Sequence, residues 1–177
     1  MKTYIALLRG INVSGQKKIL MVDLKKSMEQ LGLKEVVTYI QSGNVVFKSE
    51  DELVDILEDK IKETIMSNFG FDVPVLVTTF DILNSILLNN PFSKEEDKKQ
   101  YFVLLKDEPK ASLVEEFHET SYNNEDFVIA GQCIYLVCHK GAGNAKLNNN
   151  LIERKLKVSA TTRNLRTMTK LVELASG

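Results

Sequence analysis

Three short polar segments hold the residues with which this chain could do chemistry. The first, Arg9-Gly10-Ile11-Asn12-Val13-Ser14-Gly15-Gln16-Lys17-Lys18, joins an apolar run to an amphipathic segment. Backbone amides left over in such a loop attract an anion when cations stand beside them, and Arg9, Lys17 and Lys18 supply the cations. Gly10 and Gly15 let a ligand approach the backbone closely. A plainer reading needs the glycines only for the turn and the lysines only for solubility. The second segment is Gln41-Ser42-Gly43-Asn44, whose amides and hydroxyl could orient a ligand, although tight turns prefer the same residues. The third runs from Ser159 through Thr161, Thr162, Arg163 and Asn164 to Arg166 and reads as the start of the last helix. A hydroxyl there caps the first turn. The helix dipole disfavours Arg163 and Arg166 at that end, so an anionic partner is implied, either a carboxylate of the protein or an incoming phosphate.

Other chemistry is poorly served. The first loop lacks the glycine spacing and following Lys-Ser/Thr of a P-loop, and it is no dinucleotide fingerprint. His118 and His139 have no carboxylate or cysteine at metal-ligand spacing, so neither metal nor cofactor is expected. Gly141-Ala142-Gly143-Asn144-Ala145-Lys146 is a flexible connection more than a phosphate loop. No nucleophile or general base stands out.

The elements must position those segments. Residues 3–9, around the apolar run Tyr4–Leu8, read as a strand buried on both faces, since they scarcely alternate. Helix one, from Leu20 to Leu31, stops at Gly32. A hairpin turns at residues 41–44, and helix two, about Asp51 to Asn68, carries Leu53, Leu57, Ile61 and Ile65 in one stripe and ends at Gly70. Val73–Val77 follows as a strand, Pro74 marking an edge or a strand start, and a further helix runs from Phe80 to Leu88. The order β-α-β-β-α-β is the ferredoxin-like arrangement. The second half repeats it, with a strand at 101–105, a helix after Pro109, a hairpin at 127–137, a helix near 147–156, a short strand at 157–160 and a final helix from Arg163 to Ala175. The expected class is therefore α+β, a duplication of two ferredoxin-like halves, 1–92 and 100–177, joined by the charged connection 93–99.

Length and composition agree with this. The 177 residues are 44% hydrophobic and 27% charged, enough for a real core, and the net charge of -1 argues against a uniformly basic nucleic-acid binder. No apolar stretch approaches the ~20 residues of a membrane span, and Cys133 and Cys138, five positions apart in one strand, face opposite ways and cannot bridge. A cytoplasmic location without a membrane partner is expected.

Ala6-Leu7-Leu8-Arg9-Gly10-Ile11-Asn12-Val13, Thr38–Phe47 and Ala160-Thr161-Thr162-Arg163-Asn164 together resemble the bacterial domain-of-unknown-function 1697 family over essentially the whole chain. The resemblance implies α+β proteins with ferredoxin-like halves and no assigned activity. Ser14 stands where a glycine is usual, and Leu165 where an aromatic is common.

The leading expectation is recognition of a phosphate-bearing small molecule or nucleotide. Arg9, Lys17, Lys18, Arg163 and Arg166 would line a groove between the halves. Asn12, Gln41, Ser42, Asn44, Thr161, Thr162 and Asn164 would orient the ligand. Two alternatives remain open: a single-strand nucleic-acid module, with affinity falling steeply in salt, and an oligomerisation domain whose arginines meet a partner's carboxylates.

Overall fold

A computed structural model describes residues 1–50 and 53–177 of the chain. Tyr4–Leu8 lies within β1 (Lys2–Leu8), and all five residues are buried, as the absence of alternation predicts. The amphipathic segment forms α1 (Met21–Gln30), with Leu24 and Met28 inward. The hairpin is β2 (Lys34–Tyr39) and β3 (Asn44–Ser49). Helix α2 (Val54–Phe69) buries Leu57, Ile61 and Ile65 and is closed by Gly70 in the left-handed region, its amide donating to Met66 O at 2.9 Å. Its expected start at Asp51 lies outside the described residues. Strand β4 (Val75–Thr79) begins just after Pro74 and is followed directly by α3 (Phe80–Leu88).

The sequence then runs through β5 (Gln100–Leu105), α4 (Ala111–His118), β6 (Glu125–Ala130), β7 (Cys133–Cys138), α5 (Asn149–Leu156), β8 (Ala160–Asn164) and α6 (Leu165–Ala175). Here the expected boundaries fail. The last helix does not start at Arg163, and the strand is not 157–160: Ala160–Asn164 is the strand, pairing antiparallel with β5 so that Phe102 faces Arg163. Asn164 caps the helix, its Oδ1 accepting from Thr167 N at 2.9 Å. Thr161 and Thr162 are β-branched and suit a strand. The dipole argument about Arg163 therefore falls, because that residue is not in a helix.

The protein is α+β, with two four-stranded antiparallel sheets in the orders β2-β3-β1-β4 and β6-β7-β5-β8. Two compact units contain them, Met1–Asn84 with Lys170–Gly177, and Ser85–Thr169. In the first, Tyr4, Ala6, Leu8, Val45 and Phe47 of the sheet pack on Leu24, Met28, Leu57, Ile61 and Ile65. In the second, Val103, Leu105, Ile134 and Leu136 pack on Phe117, Ile152 and Leu156.

The two units reuse the same backbone solutions. Leu8 N donates to Gly43 O (2.8 Å) and Arg9 N to Pro74 O (3.0 Å); Leu105 N donates to Gln132 O (2.9 Å) and Lys106 N to Ser159 O (2.9 Å). A helix carboxylate also takes an outward amide of one edge strand in each sheet. Glu58 of α2 accepts from Val77 N at 2.8 Å, and Glu153 of α5 from Ala160 N at 3.0 Å. A strand edge is aggregation-prone unless its outward groups are engaged, and each bond occupies one such amide while giving one carboxylate oxygen a donor. Among the described residues no helix is long and apolar enough to cross a membrane.

Candidate functional site

In the first unit the end of β1, the β2–β3 turn and the segment before β4 come together, through Leu8 with Gly43 and Arg9 with Pro74. The loop from Arg9 to Ile19 is held there by one side chain. Asn12 Nδ2 donates to Gln41 O (2.8 Å) and to Ile19 O (2.9 Å), and its Oδ1 accepts from Ile19 N (2.8 Å). One amide thus closes the loop on itself and ties it to the turn. Inside that clasp, Asn12 N donates to Lys17 O (3.1 Å) and Gln16 N to Val13 O (2.9 Å), making a miniature hairpin. Lys17 Nζ reaches across to the carbonyl of Asp72.

The backbone there is unusual. Gly10, Asn12, Ser14, Gly15 and Lys17 all have positive φ, between 45° and 78°. Glycine adopts that region freely and asparagine readily, but Ser14 and Lys17 do so at a cost of ~1 kcal/mol or more each. The amides of Gly10, Ser14 and Gly15 meet no acceptor among the described residues, and all three residues are exposed. Arg9 and Lys17 are half-buried, while Lys18 is exposed.

The turn is built to stay put. Gly43 has φ 89°, and a Cβ there would lie 2.7 Å from Leu8 Cβ and 2.8 Å from Ile11 Cδ1. Asn44 is fully buried, its Nδ2 donating to Tyr39 O (3.0 Å) and Ser42 Oγ (3.1 Å). Asn44 and Ser42 therefore brace the hairpin, and Gln41 serves the clasp through its carbonyl. So the structure gathers Arg9, Asn12, Lys17, Lys18, Gln41, Ser42 and Asn44 at one end of one unit. Asn12→Ala should lose about 2 kcal/mol, from three part-exposed hydrogen bonds and the left-handed φ, and should open the loop to limited proteolysis between Gly10 and Lys18.

The remaining expected residues lie along β8 and the first turn of α6. Thr161 is buried, and Thr162 Oγ1 donates to Asn149 Oδ1 (2.7 Å). Arg163 is only 8% exposed, its Nη1 donating to Thr161 Oγ1 (3.1 Å) and Thr162 O (2.9 Å). Burial pulls its pKa down to about 10, which still leaves it charged at neutral pH. Asn164 is committed to its cap, and Arg166 is exposed.

Sequence reasoning overlooked the carbonyl of Asp72 as the seat of Lys17, and the edge-covering Glu58 and Glu153. Glu58 had a signal: it lies three residues before Ile61 and seven before Ile65, on the buried stripe of α2. Among the described residues, no group of three or more His, Cys, Asp or Glu could hold a metal ion.

The loop and the clasped turn fall within the part of the chain, residues 1–135, that matches the family described as protein of unknown function DUF1697. The chain belongs to the DUF1697 family. No curated protein matches it. Among solved structures it is similar to the conserved bacterial protein SP0830 from Streptococcus pneumoniae, at 22% identity over 98% of each chain with a TM-score of 0.74. At that identity the likeness shows a shared fold, and the fold of this DUF1697 chain extends over both units.

Proposed function

We propose that the Arg9–Lys18 loop binds the phosphate group of a small molecule, on a scaffold of two ferredoxin-like halves related by duplication. The strand orders and the matching backbone bonds of the two units support the duplication. The observation that carries the ligand reading is the clasp itself. Asn12 holds Ser14 and Lys17 in strained left-handed conformations around exposed amides. Strain maintained by dedicated hydrogen bonds is a mark of a functional loop, and exposed amides beside cations suit a phosphate. Lys18 supplies the exposed charge, while Lys17, seated on Asp72 O, positions the loop.

The test is a thermal-shift and calorimetric panel of pyrophosphate, mononucleotides, sugar phosphates and a short single-stranded oligonucleotide, with Lys18→Glu beside the wild type. A ligand at 100 times its Kd adds ~2.7 kcal/mol, a shift of several degrees. The expected result is stabilisation by one phosphate-bearing class, lost in Lys18→Glu and kept in Arg166→Ala. A flat response to every probe would overturn the reading. Binding confined to the oligonucleotide, with a steep salt slope, would move the function to nucleic acid.

A further inference from the structure

Two four-stranded sheets present four edges, and three of them carry a device against pairing. On β2 the register shifts between Lys34 and Val37, with Glu35 at φ 48° inside the bulge. On β4 the outward amide of Val77 is taken by Glu58, and on β8 that of Ala160 by Glu153. Natural sheets need such devices because an open edge recruits another strand. Strand β6 is different: among the described residues its six positions pair with β7 in unbroken register. Its first residue is Glu125, whose amide donates to Tyr122 O and whose buried carboxylate accepts from Leu147 N. Beyond Glu125, among the described residues, no bulge, proline, lysine or covering carboxylate interrupts its outer side.

The geometry fixes which groups that edge offers. The two-residue turn Gly131-Gln132, with Gly131 at φ 56°, closes on the pair Ala130–Cys133. Hydrogen-bonded and non-hydrogen-bonded pairs alternate from there, so Phe127 and Ile129 direct their backbone groups outward. No hydrogen bond to either outward group is present among the described residues. Between them Val128 is 38% exposed.

We propose that β6 is a self-association edge, pairing antiparallel with β6 of a second copy of this chain and joining two four-stranded sheets across a two-fold axis. The occupant follows from self-complementarity. Centred on Val128, antiparallel pairing sets Phe127 opposite Ile129, the outward-facing pair in both copies, and Asp126 opposite Ala130. No like charges meet, and Asp126 is already engaged by His139 at 2.7 Å. Val128 faces its own copy at a non-hydrogen-bonded position, where side chains lie closest. One strand of contact makes a small interface, so the dimer should be weak and concentration-dependent.

Sedimentation equilibrium from micromolar to near-millimolar concentration, with amide hydrogen exchange at both ends of the range, tests this. The wild type should shift towards dimer, with Phe127 and Ile129 amides protected only at high concentration. Val128→Lys places like charges face to face and should weaken association by about tenfold or more, while Val128→Thr should not. Position 128 is exposed, so equal melting temperatures at low concentration would verify that each variant folds. A monomer at every concentration, a dimer that survives Val128→Lys, or unprotected Phe127 and Ile129 in the dimer would each overturn the proposal.

Discussion

Gly43→Ala should lower the melting temperature by roughly 6–12 °C, an effect of about 3 kcal/mol on a chain of this size. Two contributions add. The backbone at Gly43 has φ 89°, where an L side chain costs about 1 kcal/mol or more. The new methyl also meets Leu8 Cβ at 2.7 Å and Ile11 Cδ1 at 2.8 Å. The isoleucine tip can swing away, but Leu8 Cβ is fixed to β1, so the turn must lift and strain the 2.8 Å bond from Leu8 N to Gly43 O. Overpacking of this kind costs about 1–3 kcal/mol. Because Gln41 shares the turn with Gly43 and accepts from Asn12, the variant should also loosen the Arg9–Ile19 loop. Urea unfolding together with exchange rates for residues 10–18 measures both effects. A variant as stable as the wild type would show that the turn is far softer than these contacts imply.

Above pH 9 the protein should lose stability steeply, and Cys133 should be the largest single source. Burial pushes its thiol up to about 12 from the usual 9. A group whose pKa is raised on folding gives stability that is complete below its unfolded pKa and is lost as pH rises through its folded one. For Cys133 the window is pH 9 to 12, and three pH units at ~1.36 kcal/mol each give about 4 kcal/mol. Two neighbours on β7 act in the same sense. Cys138 is raised to about 11 by burial and the charge of Glu125, and Tyr135 to about 12 by burial and Cys133. Arg163 opposes them as pH approaches 10 and beyond, where its buried guanidinium is drawn to lose its proton in the folded state first. Comparing the wild type with a Cys133 variant by urea unfolding between pH 9 and 10 therefore separates this thiol from Tyr135 and Arg163, which both proteins retain. Cys133→Ala should flatten the dependence there by up to ~1.4 kcal/mol per pH unit, on top of a fixed packing cost. An unchanged slope would rule Cys133 out as the source.

What the sequence reveals about this molecule is what local rules decide. The uninterrupted run Tyr4–Leu8 and glycine at the β2–β3 turn are set by burial period and by φ and are found where they are expected. The i,i+4 stripe of α2 holds at Leu57, Ile61 and Ile65 but not at Leu53, which precedes the helix and is exposed. Strand β8 is not legible in that way. Thr161, Thr162 and Asn164, just ahead of an amphipathic stripe, are as fit for a cap as for a strand, and the choice is made by β5, some sixty residues earlier in the chain. The same distance hides the role of Asn12: its type suits a ligand contact, a turn or a clasp alike, and only the approach of Gln41, 29 residues away, selects the clasp. Arg163 misleads for a related reason, since a dipole argument presupposes a helix that the chain does not form at that point.

The carboxylates of Glu58 and Glu153 make the safety of β4 and β8 conditional. Each of these edge amides is engaged only while its helix stays docked, so a transient undocking of α2 or α5 bares it before the sheet itself has come apart. The aggregation hazard of this chain then lies in partly open molecules that still possess intact sheets. Its shelf life would be governed by how often one helix lifts, a quantity that global unfolding measurements do not see.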